Sequence, residues 1–400
     1  AMFFSRRTGA IAVRSHLSYS PLSLSHGRDS LCASNEGATK AMKMRLSMIV
    51  PFLALLMSAI PCAADSLRDR ALQIFEPIPE TTPSLPGEAA TPEKLALGKM
   101  LFFDPRLSQS RDMSCSSCHN ISMGGVDGRS SAQGPLGGRK VATVLNAVFN
   151  KAQFWDGRAA TLKEQVVNSV MANPKALLNA RGGSSFINPA EMEMSRQHAV
   201  AELKSIPGYA EAFKKAFPAE SDPVSYDNIG KAIALFEATL ITPGAPFDRW
   251  LEGDDAALTE KQKQGLMIFV EKGCSNCHDG INVGGGRFAR FGLVLSPGPE
   301  FLPPDDRGRY EVTRNISDNY VFKVPTLRNV ELTAPYFHSR HGGDLKQAVT
   351  VMAQSQLGQE LSEDETDSVV AFLKSLTGHQ PEVVLPILPP NATSLPRPQP

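Results

Sequence analysis

Cysteine is scarce in this chain. Six occur in 400 residues, and only Cys115, Cys118, Cys274 and Cys277 follow Ala64. Four thiols in two close pairs leave no disulfide framework for the rest of the chain. Neither sign of charge is in excess: 41 Lys and Arg stand against 41 Asp and Glu, for a net charge of +0. That balance gives no ground for a nucleic-acid or anionic-membrane partner. A long apolar run is missing as well, since the stretch from Leu46 to Ile60 is interrupted by Pro51 and is too short to span a bilayer. Strand-type alternation is rare. What is present, 42% hydrophobic and 20% charged residues, is globular material for about two or three domains with a buried core.

Residues 1–64 read as a leader. Residues 1 to 41 are rich in Ser, Arg and Gly, then Lys43 and Arg45 precede the apolar run, and Cys62-Ala63-Ala64 ends it in small residues. This pattern predicts a secretory signal beginning at Met42 or Met44 and cleaved near Ala64, preceded by an over-extended start. Pro61 argues against reading Cys62 as a lipoprotein cysteine.

The remaining thiols lie in two copies of one pentapeptide, Cys115-Ser-Ser-Cys118-His119 and Cys274-Ser-Asn-Cys277-His278. Two thioether bonds need thiols one helical turn apart, and the adjoining His then faces the iron, so the chain is expected to carry two covalent c-type haems with His119 and His278 as axial ligands. Such haems are attached outside the bacterial inner membrane, which points to the periplasm. The motifs stand about 159 residues apart, a spacing suited to a duplication. The expected fold is mainly α: two tandem cytochrome c-like domains, 65–241 and 242–379, with long loops, little sheet and an extended Pro-rich tail at 380–400. Apolar residues at three- and four-residue intervals predict helices over Glu93–Phe103, Thr161–Met171, His198–Phe217 (split at Pro207), Ile229–Leu240, Thr259–Glu271, Leu345–Met352 and Asp364–Leu376. Gly284 to Asp306 reads as a structureless loop.

Four further segments carry a family resemblance. Leu101-Phe-Phe-Asp-Pro-Arg-Leu-Ser108, Cys115 to Gly125, Phe154-Trp-Asp-Gly-Arg-Ala159 and Ala334-Pro-Tyr-Phe-His-Ser339 resemble the bacterial dihaem cytochrome c peroxidases, from about Ala89 to the tail. The resemblance implies that the N-terminal haem reduces hydrogen peroxide, while the C-terminal haem takes electrons from a small cytochrome c or copper protein. It implies that Met352 is the sixth ligand of the second iron, a position that spacing alone would read as core filling. It makes Glu191 the distal acid and Gln165 the distal amide of the peroxide site, though Glu191 by itself is an ordinary solvated carboxylate. Trp155 becomes an electron bridge, or an aromatic wedge between domains. His338 is expected near the second haem or the interface, and His198, His341 and His379 on the surface. The family also often forms homodimers.

Two departures stand out. Activation-dependent members carry a blocking His after the first haem motif, whereas Gly124 to Ala152 here contains none, so the first haem is expected to be open in the oxidised enzyme. The family binds calcium between its domains through an Asn and the carbonyls matching Thr333 and Pro335. Lys140 stands at the Asn position, which puts calcium in doubt because an ammonium supplies no oxygen. An insertion of about fifteen residues, which includes the Gly-rich Arg181–Ser185, lies between Gln165 and Glu191. Two other readings compete: a dihaem oxidase that modifies a partner protein, like the methylamine dehydrogenase-maturing enzyme, which has Tyr in place of the Met ligand, and a dihaem electron carrier without catalysis.

Overall fold

The computed structural model describes residues 66–128, 139–167 and 195–391. The predicted leader, the Arg181–Ser185 insertion and Glu191 lie outside them. The described chain is mainly helical, and its only regular strands are Phe288–Arg290 and Val321–Lys323, paired antiparallel with Phe288 opposite Lys323. No helix among the described residues is long and apolar enough to cross a membrane.

The predicted helices begin where side chains satisfy their first amides. Thr91 caps Pro92–Phe103, and Thr259 with Gln262 and Ser362 with Glu365 form reciprocal caps on Glu260–Glu271 and Glu363–Lys374. Pro207 divides its stretch as expected, into Arg196–Ser205 and Pro207–Ala216, because a proline without an N–H fits the first position of a helix. The Leu345 helix runs on to Leu357, past the predicted end at Met352, and stops at the left-handed Gly358. Phe288–Arg290 forms a strand inside a segment expected to be structureless; three residues are too few to show alternation.

Two hydrophobic cores form around two helix pairs built alike. Pro92–Phe103 packs on Tyr226–Ala238, where a Cβ on Gly98 would overlap the Ala232 carbonyl and stand 3.0 Å from Phe236 Cβ. Glu260–Glu271 packs on Glu363–Lys374, where a Cβ on Gly265 would overlap the Ser368 carbonyl and stand 2.9 Å from Phe372 Cβ. Each core with the chain around it forms a lobe, and the two ends of the described residues each pack on the lobe remote from them in sequence. Phe75, just after the Leu67–Leu72 helix, packs 5.4 Å from Phe247 in the second core, while Arg106 of the first lobe binds the tail at Pro389 O, 2.8 Å.

A repeat shifted by 183 positions runs through both lobes. Lys140-Val-Ala-Thr-Val-Leu-Asn146 matches Lys323-Val-Pro-Thr-Leu-Arg-Asn329, and Phe154-Trp155 matches Phe337-His338. The backbone agrees: Asn146 and Asn329 are both left-handed at φ 59° and 57°, as are Phe154 and Phe337 at φ 66°. Both asparagine amides donate to the same Thr242 hydroxyl, at 2.7 and 2.9 Å.

Adding a methyl at either crossing is expected to separate the helices: Gly98→Ala or Gly265→Ala should each cost about 2 kcal/mol or more in urea unfolding. A loss under about 0.5 kcal/mol would mean that the crossings are loose. Glu237, buried in Tyr226–Ala238 with Oε2 unpartnered, is pushed by burial from 4.5 up to about 8. Between those values the unfolded chain ionises while the folded one holds its proton, so this group's stabilising contribution is lost as pH rises. Glu237→Gln should therefore gain on wild type by roughly 3 °C in Tm per pH unit over that window, and parallel Tm–pH curves would refute it.

Candidate functional site

Two clefts share one wall. The larger holds about 1780 Å³ of atom-free space, its open mouth included, and lies in the second lobe. Cys274, Cys277, His278 and Met352 all line it, among apolar side chains that include Phe269, Phe291 and Leu373. The short turn Cys274–Asn276 presents the histidine, whose amide bonds to Cys274 O at 3.1 Å. His278 Nδ1 stands 3.4 Å from Val283 O; a carbonyl only accepts, so Nδ1 carries the proton and Nε2 keeps its lone pair. Burial lowers this imidazole from 6.5 to about 4, so it is neutral. Met352 comes from the Leu345–Leu357 helix.

The smaller cleft, about 700 Å³ on the same measure, is lined by His119, Gln165, Arg158 and Thr143. Cys115–Cys118 is a short helix with His119 as its C-cap, the histidine amide bonding to Cys115 O at 2.9 Å. His119 Nδ1 lies 3.4 Å from Gly125 O, the counterpart of the His278 contact. Gln165 reaches the cleft from Leu162–Gln165, a helix capped by Thr161. The structure thus brings Gln165 to His119.

Lys140, Asn150, Trp155 and Lys323 stand in the shared wall and line both clefts. Trp155 is fixed at two points: its indole N–H donates to Lys140 O at 2.8 Å, and its carbonyl accepts from Lys323 N at 2.7 Å. The repeat-related bond runs the other way, from Lys140 N to His338 O, also 2.7 Å. The Trp155 and His338 rings meet edge to face at 6.0 Å. His338 is 3% exposed and stacks on Phe322 at 4.2 Å. Burial lowers it to about 4, with Arg139 reinforcing and Asp306 opposing, so its 3.7 Å approach to Asp306 is not an ion pair at neutral pH. His198, His341 and His379 are exposed.

Sequence reasoning missed the charges behind this wall. Arg139 binds Asp156 at 2.8 Å and Asp306 at 2.6 Å, and Arg158 binds Asp156 at 3.1 Å. Burial alone would raise the Asp156 carboxyl, but Arg158 and Arg139 more than reverse this and bring it to about 2. Lys323 is different: 6% exposed and lowered by burial to about 8, it has no carboxylate or carbonyl partner for its ammonium among the described residues. The signal that marks it in sequence is the repeat that pairs it with Lys140. Lys140 is 8% exposed and its Nζ donates to Thr333 O, one of the two oxygens expected to bind calcium. Burial, aided by Arg340 and opposed by Asp127, lowers it to about 7. A nitrogen on that oxygen does not fit a calcium site.

Asp156→Asn should leave the buried Arg158 without its carboxylate and Arg139 with Asp306 alone, and cost roughly 3 kcal/mol in chemical denaturation. A loss below about 1 kcal/mol would show the network to be dispensable.

A family profile described as "Di-haem cytochrome c peroxidase" matches residues 92–256. The chain is 47% identical over 360 residues to a cytochrome c551 peroxidase of Pseudomonas aeruginosa, covering 89% of this chain and 99% of the relative. It is 48% identical over 329 residues to a cytochrome c551 peroxidase of Nitrosomonas europaea, covering 80% and 91%. Among solved structures, a MauG-like protein associated with microbial copper homeostasis superposes with a TM-score of 0.60 at 26% identity, over 76% of this chain and 93% of that one.

Proposed function

We propose a division of labour between the two clefts of this chain, which belongs to the di-haem cytochrome c peroxidase family and is a cytochrome c peroxidase. The residues present suit one covalent haem in each lobe. In the second, two thiols, a neutral imidazole and a thioether border one apolar cleft, and the Lys323 ammonium offers a partner for a haem carboxylate. Haem, when bound, supplies the iron through which electrons reach hydrogen peroxide.

The observation that carries the reading is Met352 on the same cleft as His278. A thioether facing an imidazole holds iron closed and at raised potential, which suits electron entry from a small periplasmic cytochrome c or copper protein. It also favours peroxidase over the oxidase class, where Tyr takes that place. Trp155, rigidly held between the clefts, provides the short path across the wall. At the other cleft, His119 supplies the proximal imidazole and Gln165 orients peroxide by hydrogen bonding. Glu191 would take the proton from the inner peroxide oxygen and deliver it to the outer one, so that one water leaves, and the two donor electrons with two protons from solvent would bring the remaining oxygen to a second water. With no His between Gly124 and Ala152, this side stays open to peroxide in the resting enzyme.

With a reduced small cytochrome as donor, wild type should oxidise it on addition of peroxide, and Glu191→Gln should lower kcat by about 10²-fold at unchanged haem content. Resting-state electron paramagnetic resonance should show one low-spin and one high-spin centre. Absence of turnover, or two low-spin centres with protein ligands, would sink the assignment.

A further inference from the structure

We propose that the Lys140 side chain takes the place of a divalent cation at the joint, so that the two lobes close without bound calcium. Lys140 belongs to the first lobe and Thr333 to the second, and the Nζ–Thr333 O hydrogen bond joins them. Calcium would approach that oxygen to about 2.3–2.6 Å and require several more oxygens around it. The lysine nitrogen already stands at hydrogen-bonding distance from it and contributes none. The acid whose charge acts on Lys140 is also committed: Asp127 is engaged by Arg340 through two bonds of 2.8 and 2.9 Å. What surrounds Nζ suits a nitrogen instead, since the Tyr336 ring centroid lies 5.6 Å away and its face accepts a cation. An uncharged amine would still donate to Thr333 O, so the clamp holds in either protonation state.

The internal repeat supports the same conclusion. Lys140 and Lys323 are matched positions, and the backbone amide of each crosses to the other lobe, to His338 O and to Trp155 O, at 2.7 Å in both cases. Both halves of the joint are therefore built on a buried lysine. Lys140 ties the lobes twice, once through its backbone and once through its side chain.

The test uses the haem-loaded enzyme, elemental analysis and thermal unfolding, none of which passes through peroxide turnover, so its outcome is separate from that of the peroxidase assignment. Wild type should hold far less than stoichiometric calcium, and its Tm should move neither with a chelator nor with added calcium. Lys140→Asn should bind calcium and gain a calcium-dependent rise in Tm of roughly 5 °C at saturation. Lys140→Met should melt below wild type and not be rescued by calcium. Stoichiometric calcium in wild type, or a chelator-induced fall in its Tm, would overturn the proposal, and these two readings decide it even where a variant fails to fold. So would a Lys140→Asn enzyme indifferent to calcium.

Discussion

Two backbone hydrogen bonds, Lys140 N to His338 O and Lys323 N to Trp155 O, set the geometry on which the rest depends. Each starts in one lobe and ends in the other, and they involve matched residues of an internal repeat. A main-chain amide has no alternative rotamer, so this crossing fixes the wall between the clefts more firmly than side-chain contacts would. Trp155 inherits that rigidity. Its carbonyl and its indole N–H are each bound to the backbone of one crossing lysine, which leaves the ring little freedom between the two clefts. An electron path across a protein needs such a short, fixed gap more than it needs any particular reactivity of the bridging group.

Burying the joint requires that charges be answered locally. Arg139 and Arg158 find Asp156, and Arg139 also finds Asp306, so desolvation is offset within one cluster. His338 escapes the problem by remaining neutral among aromatic rings. Lys140 is met by a carbonyl. Lys323 alone in this wall lacks an acceptor from the described protein, and a buried cation without an anion is costly enough to imply that one arrives with a ligand. A haem carboxylate would have the right charge to answer it.

Much of this was readable in advance, for physical reasons that differ by element. The helices announced themselves because a buried stripe demands the 3.6 period, and Pro207 marked its break because it lacks an N–H. The paired strands at Phe288 and Val321 are too short for a period of two to register. The exchange of segments between lobes was hidden because Phe75 and the tail near Pro389 choose partners far away in sequence. Cys274, Cys277, His278 and Met352, singled out by motif and resemblance, line one cleft. Lys323 was not singled out, because a lone lysine in sequence looks like surface. Its match to Lys140 was nonetheless available, and comparing the two halves at a shift of 183 would have revealed it.

The same shift bears on why two like lobes should do unlike chemistry. It carries Leu345-Lys346 onto Leu162-Lys163, and both pairs follow a residue that caps a helix, Asp344 and Thr161. Continued along the chain, it carries Met352 onto Ser169. A thioether is a good ligand for haem iron and a hydroxyl a poor one. The shift places Gln165, which borders the first cleft, level with Ala348. Each lobe thus keeps a common scaffold of repeat, capped helix and crossing lysine, while the side chains that follow the cap differ, as Gln165 does from Ala348.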